Sequence, residues 1–265
     1  MIRTPVVLVG PSGGYRGLER TLVASLLERG TDFFEVDVQP ENPGEPASFA
    51  EMVSRIQRTI LLATQATASA DAAERRLPAL VGYSLGAQAA AIFASQHPGA
   101  VSSLSLIAAW AAPHGKMREV RELWLRLRDP GAGREFDAHE LPMRLTNLVF
   151  SSAFGWSGIP SVEQGERAAT EMAAVMHLCV DADLVAVAER IVDPVLVVGC
   201  AFDEFAPVNQ SRYLFGAIPN ARYAEIESGH LVCVERPAEV VSLVESFVAD
   251  PQQYPAGTRV KGHCP

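Results

Sequence analysis

The stretch ALVGYSLGAQAAAIFASQ, residues 79–96, decides how the rest of the chain is organised. Its opening, Ala79 to Tyr83, is a short apolar run that reads as a buried strand. From Leu85 onward small residues and good helix formers dominate, and the run stops at His97-Pro98, where proline cannot continue a helix. Between the two stands Gly82-Tyr83-Ser84-Leu85-Gly86, a G-x-S-x-G turn. A strand that passes into a helix this quickly needs a sharp turn, in which side chains at the flanking glycine positions would clash. The central serine is then held in a strained conformation at the helix N-terminus, with backbone N–H groups and the positive helix end beside its hydroxyl. The five-residue pattern arises often by chance. The strand before it and the helix after it give it meaning, and they make Ser84 the candidate nucleophile.

Working outward, strand-like and helix-like segments alternate. Pro5 to Gly10 (PVVLVG) is a buried strand, followed by the glycine-rich loop PSGGYRG and a helix from about Leu18 to Arg29. Asp32 to Val38 is a second strand, closed by the loop QPENPGEP. A helix follows from Ser48 to about Ala70, with Ser48 and Glu51 spaced as a capping box. Val101–Ala109, Val195–Cys200 and Tyr223–Ile226 supply further strands, and helices are expected around Val208–Ala217 and Ala238–Val248. This alternation predicts an α/β class protein, with a mostly parallel sheet of about six strands flanked by helices. The core would comprise residues 1–111 and 193–250. The interval 112–192 breaks the rhythm: it holds amphipathic segments such as REVRELWLRLR and no convincing strand. It is too long for a simple crossover and reads as a helical lid inserted into the core. Residues 251–265, PQQYPAGTRVKGHCP, are turn-rich and read as an exposed C-terminal tail.

Composition narrows the function classes. A chain of 265 residues suffices for one α/β domain. The formal charge of −9, with no run of Lys and Arg, argues against a nucleic-acid partner. No stretch approaches the roughly 20 apolar residues of a membrane span. The apolar run in MIRTPVVLVG is too short for a signal peptide. Cys179, Cys200, Cys233 and Cys264 form no C-x-x-C pair, so neither a metal site nor a disulfide framework is expected. Reduced thiols in a soluble, cytoplasmic protein are the expectation.

A serine hydroxyl is a poor nucleophile near neutral pH and needs a base within hydrogen-bond reach. His230, in ESGHLVCVERP, follows the last predicted strand and precedes the final helix, which puts it at the carboxyl edge of the sheet. His97 sits at a helix C-terminus, where the dipole explains it. His114, His139 and His177 fall in the lid interval and His263 in the tail. The base in turn needs an acceptor that sets its tautomer and stabilises the imidazolium. Asp203 follows the strand VLVVGC in the loop AFDEFAP and emerges at the same edge. Its neighbour Glu204 is the rival, and Asp37 reads as a solvated loop charge.

With Ser84, Asp203 and His230 in this order, the chain resembles the α/β-hydrolase superfamily over nearly its whole length. The stretches QHPGAVSSLSLIAAW, GAIPNARYAEIESGH and ERPAEVVSLVESF look like the family too. The resemblance implies the α/β-hydrolase fold, a lid between the family's sixth and seventh strands, and kinship with small cofactor-free esterases, lactonases, thioesterases and haloperoxidase-like members. Two departures stand out. The chain opens almost at the family's third strand, so the usual first hairpin is not expected. The histidine-glycine pair of the oxyanion loop is replaced by Gly10-Pro11-Ser12-Gly13-Gly14. An oxyanion hole needs two backbone N–H groups. Leu85 is expected to give one and Ser12 the other, because Pro11 has no N–H. As a phosphate loop the glycine-rich stretch lacks both a G-K-[ST] ending and full G-x-G-x-x-G spacing.

The chemistry expected is acyl-enzyme hydrolysis of a carboxylic ester, lactone or thioester, with no cofactor and no metal. The partner is a small hydrophobic substrate, in a pocket to which Tyr83, Trp110, Phe150, Phe154 and Met176 are the candidate contributors, although single apolar side chains in a lid more often serve its packing. The same pocket would serve a lyase, cyclase or acyltransferase, or a catalytically silent ligand-binding protein. Epoxide hydrolase and dehalogenase chemistry is disfavoured, since a carboxylate would be needed where Ser84 stands.

Overall fold

Apolar runs such as VVLV and VLVVGC have no polar face, so both sides of each strand must be covered. The computed structural model, which describes residues 4–10, 20–28, 30–40, 45–66, 76–128 and 175–261, shows how this is done. Six strands, β1 (Val6–Val9), β2 (Phe33–Val36), β3 (Ala79–Tyr83), β4 (Ser103–Ile107), β5 (Val195–Cys200) and β6 (Ala221–Ile226), form one sheet in the order β2-β1-β3-β4-β5-β6. Every neighbouring pair is parallel. Because all strands point the same way, the loops that follow them share one edge. Between β1 and β3 the order reverses, and loops leaving that point diverge into a crevice. Ser84 stands there.

Side chains alternate along the strands. Val7, Val9, Leu80, Leu104, Leu106, Val195 and Val197 face α2 (Phe49–Ala66) and α3 (Leu85–Gln96), in one buried cluster. Val6, Leu8, Val81, Ile107, Leu196 and Val198 face the other way, toward α1 (Arg20–Glu28) and α6 (Pro237–Ala249). The helix between β5 and β6 is α5 (Val208–Ala217). One half of the expected capping box is seen at the start of α2: the Glu51 N–H donates to Ser48 Oγ at 3.2 Å, while the Glu51 carboxylate pairs with Arg55 at 3.4 Å. No helix among the described residues is long and apolar enough to cross a membrane.

The interval expected to form a lid is described at its two ends. Its first part is α4 (Gly115–Arg128); later come helical residues 175–181 and the turn Val185–Ala188. Met117, Val120, Val175, Leu178, Leu184 and Ile191 are buried in the cluster beneath α2 and α3, so both ends root in the sheet domain.

The described part of the tail, residues 251–261, has exposed and half-buried side chains, and its backbone is tied to β6. The Gly257 N–H donates to Ala221 O (2.8 Å), the Tyr223 N–H to Thr258 O (3.0 Å) and the Val260 N–H to Tyr223 O (2.7 Å). The tail thus covers an edge that would otherwise present unpaired backbone groups. On the same strand Glu225 is gripped by two nitrogens of Arg212 from α5, at 3.0 and 2.7 Å, and the Tyr223 hydroxyl adds a bond at 2.6 Å. The guanidinium holds the Glu225 carboxyl below the usual range. A depressed folded-state value contributes stability above the unfolded value, and that stability is lost as pH falls through the folded one. Glu225→Gln is therefore expected to lower the urea midpoint at pH 7 and to match the parent once the medium is acidic enough to protonate Glu225. Parallel urea curves across the acid limb check this; an unchanging gap contradicts it.

Candidate active site

The turn at Ser84 has the geometry that its sequence demands. Ser84 adopts φ 56° and ψ −122°, a left-handed conformation that non-glycine residues rarely hold. A Cβ on Gly82 would lie 2.5 Å from Ala87 Cα, and one on Gly86 would lie 2.2 Å from Val9 O and 2.5 Å from Gly10 O. Both contacts are with backbone, which cannot rotate aside. Hydrogen bonds hold the turn: the Ser84 N–H donates to Ile107 O (2.9 Å), and the Ala87 N–H to Ser84 O (2.9 Å). Gly86→Ala is expected to destabilise the fold by about 3 kcal/mol or more, at the upper end for overpacking. Gly115→Ala, with open space around its Cβ, should stay within about 0.5 kcal/mol. Urea unfolding of the two variants distinguishes these outcomes.

The approach of Val9 and Gly10 to Gly86 puts the carboxyl end of β1 directly beside the start of α3. Leu85 is the first residue of that helix, so its N–H has no intrahelical acceptor. Ser12, the other expected oxyanion donor, lies outside the described residues.

The structure brings Ser84, His230 and Asp203 together from the ends of β3, β6 and β5. Ser84 Oγ is 2.8 Å from His230 Nε2, and His230 Nδ1 is 2.7 Å from Asp203 Oδ2. All three residues are buried. The other carboxylate oxygen, Asp203 Oδ1, accepts from the Phe205 N–H (2.8 Å) and the Ala206 N–H (2.7 Å). An ionised carboxylate only accepts, so the imidazole proton belongs on Nδ1 and the lone pair on Nε2 faces the serine hydroxyl. Glu204 points elsewhere, paired with Lys116. The remaining described histidines have other partners: His114 Nε2 meets Phe205 O (2.9 Å), His177 Nε2 meets Ala47 O (2.8 Å), and His97 lies against the Phe93 ring at 4.7 Å. His139 and His263 lie outside the described residues. Asp37 accepts from the Gln39 N–H (2.9 Å) in its own turn.

The residues expected to line a substrate pocket fare differently. Tyr83 is fully enclosed, and its hydroxyl donates to His230 O at 2.8 Å, which ties it to the histidine's backbone. Trp110 and Met176 are buried in the core. Phe150 and Phe154 lie outside the described residues. Phe205 was not anticipated: its ring lies edge-on to His230 at 5.0 Å and to Trp110 at 6.1 Å, forming an apolar wall beside the imidazole. Gln88, fully buried on α3, donates to Trp110 O (2.9 Å), and Gln210 accepts from the N–H groups of Ala111 and Ala112 (3.1 Å each). These bonds set the path of the chain after β4. Nothing local marks either glutamine. Burial pushes the Cys179 thiol up to about 12 and raises that of Cys200 strongly, so both keep their protons and neither offers a thiolate.

With this geometry in hand, comparison places the chain among known proteins. Residues 6–243 match the family model described as the alpha/beta hydrolase family. Pyrrolizixenacetamide deacetylase from Xenorhabdus hominickii is 29% identical over 195 residues, 71% of each chain. The enol-lactonase from Burkholderia xenovorans LB400 shares the fold with a TM-score of 0.74 at 18% identity, over 94% of this chain and 92% of that one. A thermophilic esterase from Thermogutta terrifontis gives 0.69 at 19% identity, over 94% and 90%. Identities this low make the two structural likenesses evidence of fold alone. The family match takes in all six strands together with Ser84, Asp203 and His230, and the chain belongs to the alpha/beta hydrolase family.

Proposed function

We propose that this protein is a serine hydrolase that cleaves a carboxylic ester, lactone or thioester of a small hydrophobic substrate through an acyl-enzyme. The observation that carries the reading is the continuous hydrogen-bonded path from Ser84 Oγ through His230 to Asp203, at 2.8 and 2.7 Å. As Ser84 Oγ attacks the acyl carbonyl, its proton passes to His230 Nε2. The imidazolium is stabilised by Asp203, which stays ionised. Negative charge develops on the carbonyl oxygen, where the N–H groups of Leu85 and Ser12 serve as donors. Collapse expels the leaving group, which takes the proton from His230. Water then repeats the sequence in reverse and frees the acid. The scheme calls on no cofactor or metal.

The deacetylase relative adds support for acyl transfer and brings short acyl groups into the substrate panel. The decisive experiment is labelling with a fluorophosphonate probe, read by intact mass. The parent protein should gain one adduct and Ser84→Ala none; an adduct that persists in Ser84→Ala rejects the nucleophile. Nitrophenyl esters and acyl thioesters of graded chain length then define the preferred acyl group.

A further inference from the structure

A general base must be held to within a fraction of an ångström, and bonds at its two ring nitrogens do not by themselves hold its backbone. Here the peptide groups on either side of Gly229-His230 are pinned by other parts of the chain. The peptide joining Ser228 to Gly229 is held at both ends. Its carbonyl, Ser228 O, accepts from the Phe202 N–H at 2.9 Å, one residue before Asp203. Its N–H, on Gly229, donates to Glu235 Oε2 at 2.9 Å. On the far side, His230 O accepts from the Tyr83 hydroxyl at 2.8 Å, and Tyr83 is the residue before Ser84.

The Glu235 carboxylate is out of place on packing grounds alone. It ends the helical turn Val232–Glu235, whose other residues are Val232, Cys233 and Val234. Only 6% of Glu235 is exposed, and burying a charged group is costly unless it is hydrogen-bonded. The bond from the Glu235 N–H to Leu231 O (3.0 Å) closes the turn and brings the side chain back over Gly229. Ser228, Gly229 and His230 are buried as well, so water is poorly placed to replace a lost acceptor.

We propose that Glu235 and Tyr83 are positioning residues that clamp the histidine loop, one through the Gly229 amide and one through the His230 carbonyl, so that Nε2 stays on the Ser84 hydroxyl. Neither touches the reacting atoms. The inference rests on His230 being the base, as proposed above.

The test is steady-state kinetics on a nitrophenyl ester for Glu235→Ala, Glu235→Gln and Tyr83→Phe, each shown by urea unfolding to be folded under assay conditions. Glu235→Ala should lower kcat by about 10- to 100-fold, the scale of a small misplacement, with KM within about threefold. Glu235→Gln keeps an oxygen for the Gly229 N–H and should recover kcat to within about fivefold of the parent. Tyr83→Phe loses only the hydroxyl and should lower kcat by about tenfold with KM unchanged. Should Glu235→Ala fail to fold, Tyr83→Phe decides. A folded Glu235→Ala or Tyr83→Phe with parental kcat overturns the proposal, as does Glu235→Gln performing no better than Glu235→Ala. Ser84→Ala in the same assay keeps the two questions apart. If it turns over substrate, the serine mechanism fails; if it is inactive while the clamp variants match the parent, only the clamp is rejected.

Discussion

His230→Ala is expected to cut kcat on an activated ester by about 10⁴-fold or more, whereas His177→Ala should leave it within about twofold. The difference follows from what each ring touches. His230 Nε2 is the atom that faces Ser84 Oγ at 2.8 Å, and removing it leaves a neutral hydroxyl with no proton acceptor. His177 Nε2 meets Ala47 O at 2.8 Å, so its loss costs about 1 kcal/mol of stability and no chemistry. The residual rate in His230→Ala would come from the oxyanion donors and substrate binding. For the same reason Ser84→Ala combined with His230→Ala should be no slower than either alone, because the two act as one unit. Equal losses for His177→Ala and His230→Ala would sink the assignment of the base.

The second large effect expected is for Asp203→Asn, a fall in kcat of about 10⁴-fold, the size seen when the equivalent carboxylate is replaced in a serine protease. The structure supplies the reason. Both oxygens of Asp203 act as acceptors, Oδ2 toward His230 Nδ1 and Oδ1 toward the N–H groups of Phe205 and Ala206. An asparagine has one acceptor and one donor end. If its oxygen stays with the two backbone groups, its NH₂ faces Nδ1 and drives the proton to Nε2, where the ring then meets the serine as a donor. If it flips, the NH₂ opposes two N–H groups. Glu204→Gln, which loses only the pairing with Lys116 at the surface, should remain within about twofold. Parental activity in Asp203→Asn, or a greater loss in Glu204→Gln, removes Asp203 from the mechanism.

Much of this site was legible because a parallel sheet gathers its strand ends. Once β5 and β6 are recognised as apolar runs between helices, the residues just beyond them must emerge on the edge where Ser84 stands. That argument reaches Asp203 and His230 without knowing a distance. It does not reach Tyr83, whose place on the inward face of β3 became clear only when the strand was set against its neighbours. Nor does it reach Phe205, Gln88 or Glu235. A glutamine in a helix and a glutamate at the end of an apolar turn have the same local sequence whether they face solvent or a buried backbone group. The tail is similar: turn-forming residues describe the bends of residues 251–261 and say nothing of the strand they lie along.

The sequence by itself determined the elements and the strained serine turn, because periodicity, caps and glycine demands act over a few neighbouring residues. It determined the α/β class as well, since strands without a polar face must alternate with covering helices. The tertiary structure alone decided which hydroxyl holds the histidine's carbonyl and how residues 257–260 line the edge of the sheet. Those outcomes depend on the order of strands and the rotation of loops across separations such as the 147 residues between Tyr83 and His230, over which local preference carries no information.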